Sequence, residues 1–349
     1  MTSFPEALKL PERLEVRDVE EPSIKEDMEV KIRVEACAIC ATDIKVYRFG
    51  HRLIKPPRIV GHELAGEVVE VGKGVKGISV GDRVAVAPAV PCGECHYCRM
   101  GLQNMCDDLT AIGYLYDGGF AEYMIVPERA VRNGCVNKIH PWISYEEAAI
   151  AEPLACVINA QELSGVGLGH TVVVLGAGPL GCLHVQLARI RGATRIILMD
   201  VSQERLDMAT VSKADLYVNS SKTDPVSMIM DETDGRGADV VIVACSSKDA
   251  QVQALKMVAK RGNVNFFGGL PKGDSIIDFD SNLLHYKEFY VVGTHGSSPR
   301  HNQLALKLIG TMSINVKGLI THRIKIEDIL RGYELVESGK GMKVVVRPR

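Results

Sequence analysis

The sequence predicts an α/β protein of two domains, a mostly-β, barrel-like part followed by a doubly wound parallel sheet. Three observations predict it. The 349 residues suit two domains, each with a sizeable core. Up to about residue 150, short alternating runs such as EVKIRVEAC (29–37) and GEVVEVG (66–72) are separated by Gly and Pro, the signature of short half-buried strands. Beyond it, near-continuous Val/Ile/Leu runs alternate with helix-like segments, as expected of strands buried on both faces and joined by crossover helices.

Taken in order, residues 1–150 form the first expected domain and 151–290 the second, with 291–349 returning to the first. The strands expected in the second domain are TVVVLG (171–176), RIILMD (195–200), DLYVN (215–219), DVVIVAC (239–245), NVNFFG (263–268) and FYVVGT (289–294). Helices are expected at PLGCLHVQLARIRG (179–192) and SQERLDMATVSKA (202–214). The last stretch, HRIKIEDILRGYELVESGKGMKVVVRPR (322–349), reads as mixed helix and strand. There is no solenoid-type repeat and no low-complexity segment.

Charge is nearly balanced, with a formal net of −2, so neither a nucleic-acid-binding stripe nor an acidic disordered tail is expected. No apolar run is long enough to span a bilayer, and the start of the chain lacks the apolar core of a signal peptide. The expectation is a cytoplasmic protein, in which ten cysteines argue against a disulfide scaffold.

Four of those cysteines, Cys92, Cys95, Cys98 and Cys106, fall within PCGECHYCRMGLQNMC (91–106). Two C-x2-C steps share a middle cysteine, and tight spacing lets backbone turns aim several thiolates at one centre. Four sulfurs with no open position are the pattern of a closed structural zinc; an iron–sulfur cluster is the rival reading. Cys37, Cys135, Cys156, Cys182 and Cys245 lack metal spacing and read as small buried apolar residues.

The second domain carries a dinucleotide fingerprint. Gly176, Gly178 and Gly181 stand in G-x-G-x-x-G register after an apolar strand and at the opening of a helix. Gly176 permits the tight turn, Gly178 lets backbone approach a pyrophosphate, and Gly181 lets the helix pack on the sheet. Pro179 suits the first helical turn, and with Leu180 completes the stretch expected to meet the phosphates at the positive end of the helix. Asp200 closes the next strand, where a carboxylate accepts hydrogen bonds from ribose hydroxyls and repels a 2′-phosphate, favouring NAD over NADP. Arg205 would instead serve a 2′-phosphate.

Three further segments carry metal-ligating side chains: CAICATD with Cys40, Thr42 and Asp43; GHELAGEVVEVG with His62 and Glu63; and AEPLAC with Glu152. An open site with fewer than four protein ligands is the catalytic type. Spacing alone does not join residues so far apart, and a scattered Cys, His and Glu also read as structural.

GHELAGEVVEVG fits G-H-E-x-x-G-x5-G, and with the cysteine cluster and GAGPLG the sequence resembles the zinc-dependent medium-chain dehydrogenase family of the alcohol dehydrogenase superfamily. The likeness runs through nearly the whole chain and is nearest to the polyol (sorbitol-like) and threonine-dehydrogenase-like branch. The resemblance implies a GroES-like catalytic domain and a Rossmann domain, with two Zn2+ per subunit, NAD, a small alcohol or polyol substrate and a homotetramer or homodimer. It implies that Cys40, His62 and Glu152 surround a catalytic zinc, that Glu63 ligates directly or yields to water, and that Asp43 orients His62. Thr42 takes the position of the hydroxyl that passes the alcohol proton outward. Cys92, Cys95, Cys98 and Cys106 match the family's structural-zinc lobe. The implied chemistry is Lewis-acid activation of an alcohol and hydride transfer to nicotinamide.

One departure is notable: many relatives read C-x-[ST]-D-x-H, and here the last position is Lys45. The basic run KVYRFGHRLIK (45–55) reads as a solvated face or as a site for a sugar phosphate or acid. His51 and Lys55 are read as loop residues, with membership of a proton relay the alternative, His295 as a turn residue near the cofactor and Lys343 as a distant candidate for cofactor phosphates. The expected activity is oxidation of a secondary alcohol of a polyol to a ketone with NAD. Polyol-phosphate, sugar-acid or L-threonine oxidation is the enzymatic alternative, and a zinc-stabilised dinucleotide-binding sensor the non-enzymatic one.

Overall fold

The computed structural model describes residues 13–271 and 273–349. Its strands, in chain order, are β1 (Val30–Ala38), β2 (Glu63–Val71), β3 (Arg83–Val86), β4 (Ala89–Val90), β5 (Thr110–Ala111), β6 (Tyr123–Val126), β7 (Val136–Lys138), β8 (Thr171–Leu175), β9 (Arg195–Asp200), β10 (Leu216–Asn219), β11 (Ala238–Val243), β12 (Val258–Phe266), β13 (Tyr290–Gly293), β14 (Ile320–Lys325) and β15 (Lys343–Arg347). They fall into two compact units. One runs to Ala155 and takes in Ser297–Met312 and Val316–Arg349; the other is Cys156–Gly296 with Ser313–Asn315.

The first unit is built on a sheet ordered β14-β15-β1-β2-β3-β7, with β6 also on β1, and on a two-stranded pairing of β4 with β5. The alternation read in 29–37 sets its core. Val30, Ile32 and Val34 of β1 are buried against Val68, Val84, Met124, Val344 and Val346. Each such side chain contributes about 1.5–3 kcal/mol when removed from water. The carboxyl-terminal stretch joins the first unit through β15, which runs antiparallel to β1 with Cys37 opposite Val346 and Ala38 opposite Val345. On the other side of β1, Ala38 faces Glu63 of β2. Three strands therefore end together, and the chain ends beyond them carry the chemistry described below.

The second unit holds a six-stranded sheet ordered β10-β9-β8-β11-β12-β13, with every pairing parallel. Numbered from β8, that is the order 3-2-1-4-5-6 of a dinucleotide-binding doubly wound fold. Val172–Val174, Ile196–Leu198 and Val240–Val243 are buried throughout, as their unbroken apolar runs require. The six expected strands all form. The helix expected over 202–214 is shorter: it spans Gln203–Met208, tightens into a 3-10 turn at Ala209–Ser212, and stops where Lys213 takes a left-handed conformation (φ 59°). Thr210, Val211 and Ser212 are poor helix formers, which explains the early end.

Polar side chains inside this unit are nearly all partnered. Asn265 of β12 donates to the Ala160 carbonyl at 3.1 Å and to Ser164 Oγ at 2.6 Å, and accepts from Thr294 at 3.1 Å. His184 is fully buried and held uncharged, its pKa pushed down to about 3 by burial. Cys37, Cys135 and Cys182 are buried, as expected, whereas Cys156 and Cys245 are partly exposed.

Candidate metal centres and dinucleotide site

The four-cysteine loop closes on itself. Its first two cysteines flank a turn, the short helix His96–Arg99 presents Cys98, and a 3-10 turn at Gln103–Met105 delivers Cys106. All four sulfurs lie within 4.8 Å of one another, and none forms a disulfide. Cys92 Sγ and Cys98 Sγ are 3.9 Å apart. A tetrahedron with Zn–S bonds of about 2.3 Å has edges of about 3.8 Å, so the spacing fits one zinc. Backbone donors reinforce the sulfurs: Glu94 and Cys95 donate to Cys92 Sγ at 3.5 and 3.3 Å, and Cys92 donates to Cys106 Sγ at 3.2 Å. The N–H groups of Glu94 and Cys95 bring the Cys92 thiol down to about 6, the direction a thiolate ligand needs. Arg129 ties the loop to the sheet through the Pro91 carbonyl at 3.0 Å and Asp108 at 2.7 Å.

The second cluster assembles where β1, β2 and β15 end. Cys40 caps the helix Ala41–Phe49: its Sγ accepts from Thr42 N at 3.5 Å and lies 3.5 Å from Thr42 Oγ1. Its backbone N–H donates to Asp43 Oδ2 at 2.8 Å, which leaves Oδ1 3.2 Å from His62 Nδ1. One carboxylate thus fixes both the helix start and the imidazole. Ligating atoms of Cys40, His62 and Glu63 all lie within 4.8 Å of one another. Glu152, on the first turn of the helix Ala151–Ser164, stands outside that tight group. It is close enough to raise the Glu63 carboxyl and the Lys343 ammonium.

The charge balance favours a cation. Asp43, His62, Glu63 and Lys343 are all buried, between 0 and 6 % exposed. His62 Nδ1 is buried and makes no hydrogen bond, with Asp43 Oδ1 3.2 Å away. Burial alone would lower the His62 pKa, yet Asp43 and Cys40 outweigh it and hold it well above the usual value. A position that favours a proton so strongly also favours a metal ion, and Cys, His and carboxylate are a zinc donor set.

Lys343 was expected near cofactor phosphates. In the structure its Nζ donates to both carboxylate oxygens of Glu63, at 2.6 Å to Oε1, and lies 3.5 Å from the Ile39 carbonyl. Burial pushes the Glu63 carboxyl up, while Lys343 acts against that and keeps the pair ionic. No local pattern signals this contact, since the two residues are 280 positions apart. Tyr114 was also missed. Its ring lies 5.7 Å from that of His62 and 4.9 Å from that of His51, centroid to centroid. In the basic run, Arg48 pairs with Glu337 at 2.9 Å, whereas Lys45, Arg52 and Lys55 are exposed.

In the second unit, β8 leads through Gly176 (φ +112°) and Gly178 into the helix Pro179–Ile190, with Pro179 and Leu180 in its first turn. A Cβ on Gly181 would lie 1.8 Å from the Gly176 carbonyl oxygen, so only glycine fits. A Cβ on Gly178 would meet nothing within 4 Å, leaving open space where backbone must approach a pyrophosphate. Asp200, at the end of β9, accepts from Ala177 N at 2.7 Å and from Ser202 N at 2.8 Å. It ties the end of β9 to the glycine turn. Arg205 is half-buried beside it: burial lowers the Arg205 pKa, and Asp200 opposes that shift. The site therefore carries the carboxylate expected to select NAD and, next to it, the cation that a 2′-phosphate would use.

Residues 26–135 match the family described as the alcohol dehydrogenase GroES-like domain, and residues 179–311 the one described as zinc-binding dehydrogenase. The chain is 37% identical to an L-threonine 3-dehydrogenase of Pyrococcus furiosus, over 91% of this chain and 90% of that one. It is 33% identical to a sorbitol dehydrogenase of Halalkalibacterium halodurans, over 92% of each. A crystal structure from Sinorhizobium meliloti 1021 with NADP bound, described as a zinc-binding dehydrogenase, superimposes with a TM-score of 0.90 at 32% identity, covering 98% of both chains.

Proposed function

The chain belongs to the zinc-dependent medium-chain dehydrogenase family of the alcohol dehydrogenase superfamily, and from that premise we propose that it oxidises a secondary alcohol of a neutral polyol to the ketone with NAD. The observation that carries the polyol reading is the engagement of Lys343. The buried cation beside Cys40, His62 and Glu63 is committed to Glu63. Outside the metal position, a substrate carboxylate or phosphate would meet Asp43, Glu63 and Glu152 with Lys343 already paired, whereas a hydroxyl meets no such repulsion. L-threonine is the second reading, favoured by the 37% identity to an L-threonine 3-dehydrogenase. The exposed Lys45, Arg52 and Lys55 would have to receive its carboxylate.

Cys40, His62 and Glu63, with Glu152 nearby, are the residues that would hold the catalytic metal, and Cys92, Cys95, Cys98 and Cys106 those that would hold a structural one. When bound, zinc supplies Lewis-acid polarisation of the alcohol oxygen and nicotinamide accepts the hydride. The chain's own groups do the rest. Asp43 fixes the His62 ring by position and charge. Lys343 keeps the Glu63 carboxylate charged but restrained. Thr42, whose hydroxyl lies 3.5 Å from Cys40 Sγ, takes the alcohol proton by hydrogen bond and passes it outward. Gly176, Gly178, Pro179, Leu180 and Gly181 receive the pyrophosphate, and Asp200 receives the ribose hydroxyls.

Among the described residues no helix is long and apolar enough to cross a membrane. The family resemblance also supports a homotetramer or homodimer. β13 lies at the end of its sheet order, with Tyr290 54% and Val291 39% exposed, and an apolar edge of that kind suits burial against another copy.

The test is NADH formation across a panel of polyols, polyol phosphates, sugar acids and L-threonine, with each coenzyme. Wild type is expected to oxidise neutral polyols and to prefer NAD over NADP in kcat/KM by about tenfold or more, since about 1.4 kcal/mol suffices. Asp200→Gly is expected to shrink that preference through coenzyme KM rather than through the hydride step, because the ribose is remote from the nicotinamide. Turnover of L-threonine with none of any polyol would replace the substrate reading, and equal use of NADP by wild type would remove Asp200 as the ribose acceptor.

A further inference from the structure

Tyr114 stands beside the Cys40, His62 and Glu63 group on a backbone that has little freedom to move. Gly118 and Gly119 donate to the Ile59 and Gly61 carbonyls, each at 2.9 Å, and Phe120 donates to Val60 at 3.0 Å. Gly113 closes the same turn by donating to the Tyr116 carbonyl at 2.9 Å. A Cβ on Gly118 would lie 2.2 Å from the Gly61 oxygen, so the turn is pressed against the segment that leads straight into His62. The phenol ring is thereby set 5.7 Å from the His62 ring, at an interplanar angle of 44°. Among the described residues no protein hydrogen bond reaches the Tyr114 hydroxyl. A phenol, with an ordinary pKa of about 10, keeps its proton at neutral pH and can donate it.

His51 completes the arrangement. Its ring meets the Tyr114 ring edge-on, with centroids 4.9 Å apart and planes at 71°. Its Nδ1 accepts the Leu53 backbone N–H at 3.3 Å, which places the ring proton on Nε2. Burial, and then Arg52, lower its pKa, so it is a neutral donor near pH 7. Two neutral hydrogen-bonding groups in contact with each other, one of them against a metal-ligand ring, suit a hydroxyl better than an anion.

We propose that the Tyr114 hydroxyl and His51 Nε2–H bind the hydroxyl next to the reacting carbinol, making this pair the determinant that selects vicinal diols over simple secondary alcohols. The inference rests on the polyol reading above and sharpens it. A half-buried hydroxyl built to meet a substrate hydroxyl is left without a partner by an analogue lacking it, and that loss sets the discrimination. The pair positions substrate and takes no part in the hydride step.

The experiment uses butane-2,3-diol and butan-2-ol, which differ by that one hydroxyl, with wild type, Tyr114→Phe and His51→Leu, after zinc content and Tm are matched. Wild type is expected to prefer the diol in kcat/KM by about tenfold or more. Tyr114→Phe is expected to lower kcat/KM for the diol by roughly tenfold to a hundredfold, mainly through KM, and to leave butan-2-ol within about threefold. His51→Leu moves the same ratio in the same direction, and it carries the test alone should Tyr114→Phe fold poorly. Equal losses on both alcohols, or an unchanged ratio in an enzyme that oxidises the polyol panel, would overturn this inference and leave the polyol reading standing. A wild type that oxidises no polyol or diol would overturn both.

Discussion

Replacing His62 by alanine is expected to abolish alcohol oxidation while NADH binding stays nearly intact. His62 is buried, held by Asp43 at 3.2 Å, and shares a ligand group with Cys40 and Glu63. Without the imidazole, that group keeps a thiol and a carboxylate already engaged by Lys343, too few donors for a tight zinc site. A loss on the order of a thousandfold or more is expected, three factors of ten at about 1.4 kcal/mol each. NADH binding survives because Gly176–Gly181 and Asp200 belong to the second compact unit, whereas His62 belongs to the first. Fluorescence titration with NADH and steady-state turnover on the same preparation separate the two effects. A variant that keeps near-normal turnover would show that the ligand assignment is wrong.

Replacing Cys95 by serine is expected to act on stability. The four-cysteine loop has one short helix and one 3-10 turn, and beyond the β4–β5 pairing at its base and the hold of Arg129 it is the sulfurs that draw it together. Losing one sulfur should release one zinc per chain and open the loop. If about 4 kcal/mol of folding free energy goes with that zinc, Tm of the first unit should fall by roughly 10 °C, taking about 2–4 °C per kcal/mol for a unit of roughly 200 residues. Activity should fall with the folded fraction and with assembly. Metal analysis beside a thermal scan checks it: a variant with unchanged zinc and unchanged Tm would refute a structural zinc, and iron in place of zinc would restore the iron–sulfur reading.

Local signals carried most of the fold. The six apolar runs from Thr171 to Gly293 became the six parallel strands because a strand buried on both faces has nearly one composition to choose from. The Gly176–Gly181 turn and the Cys92–Cys106 spacing were legible for the same reason, since each is a short stretch whose backbone must take one shape. The helix from Ser202 was overextended because its apolar spacing continues through Val211 while β-branched and hydroxyl residues end it. Contacts across the fold left no trace in the sequence. Lys343 reaches Glu63 only because β15 and β2 flank β1, and read alone it looked like a phosphate ligand. Tyr114 belongs to no spaced motif, and its place beside His62 comes from glycines packed against the 59–61 segment. Glu152 stood out as a possible ligand, but only the family resemblance joined it to Cys40 and His62, since no spacing does.

The most direct test of the account is zinc removal and return on the wild-type chain, with NADH formation from a polyol as the readout. The purified protein should carry one zinc for each of the two clusters. Mild chelation should strip the more exchangeable one, bound by Cys40, His62 and Glu63, before the closed four-sulfur site. Turnover should vanish with that first ion and return in proportion to the zinc added back, while NADH binding and Tm change little. Full polyol oxidation by a chain that retains zinc only on Cys92, Cys95, Cys98 and Cys106 would contradict it.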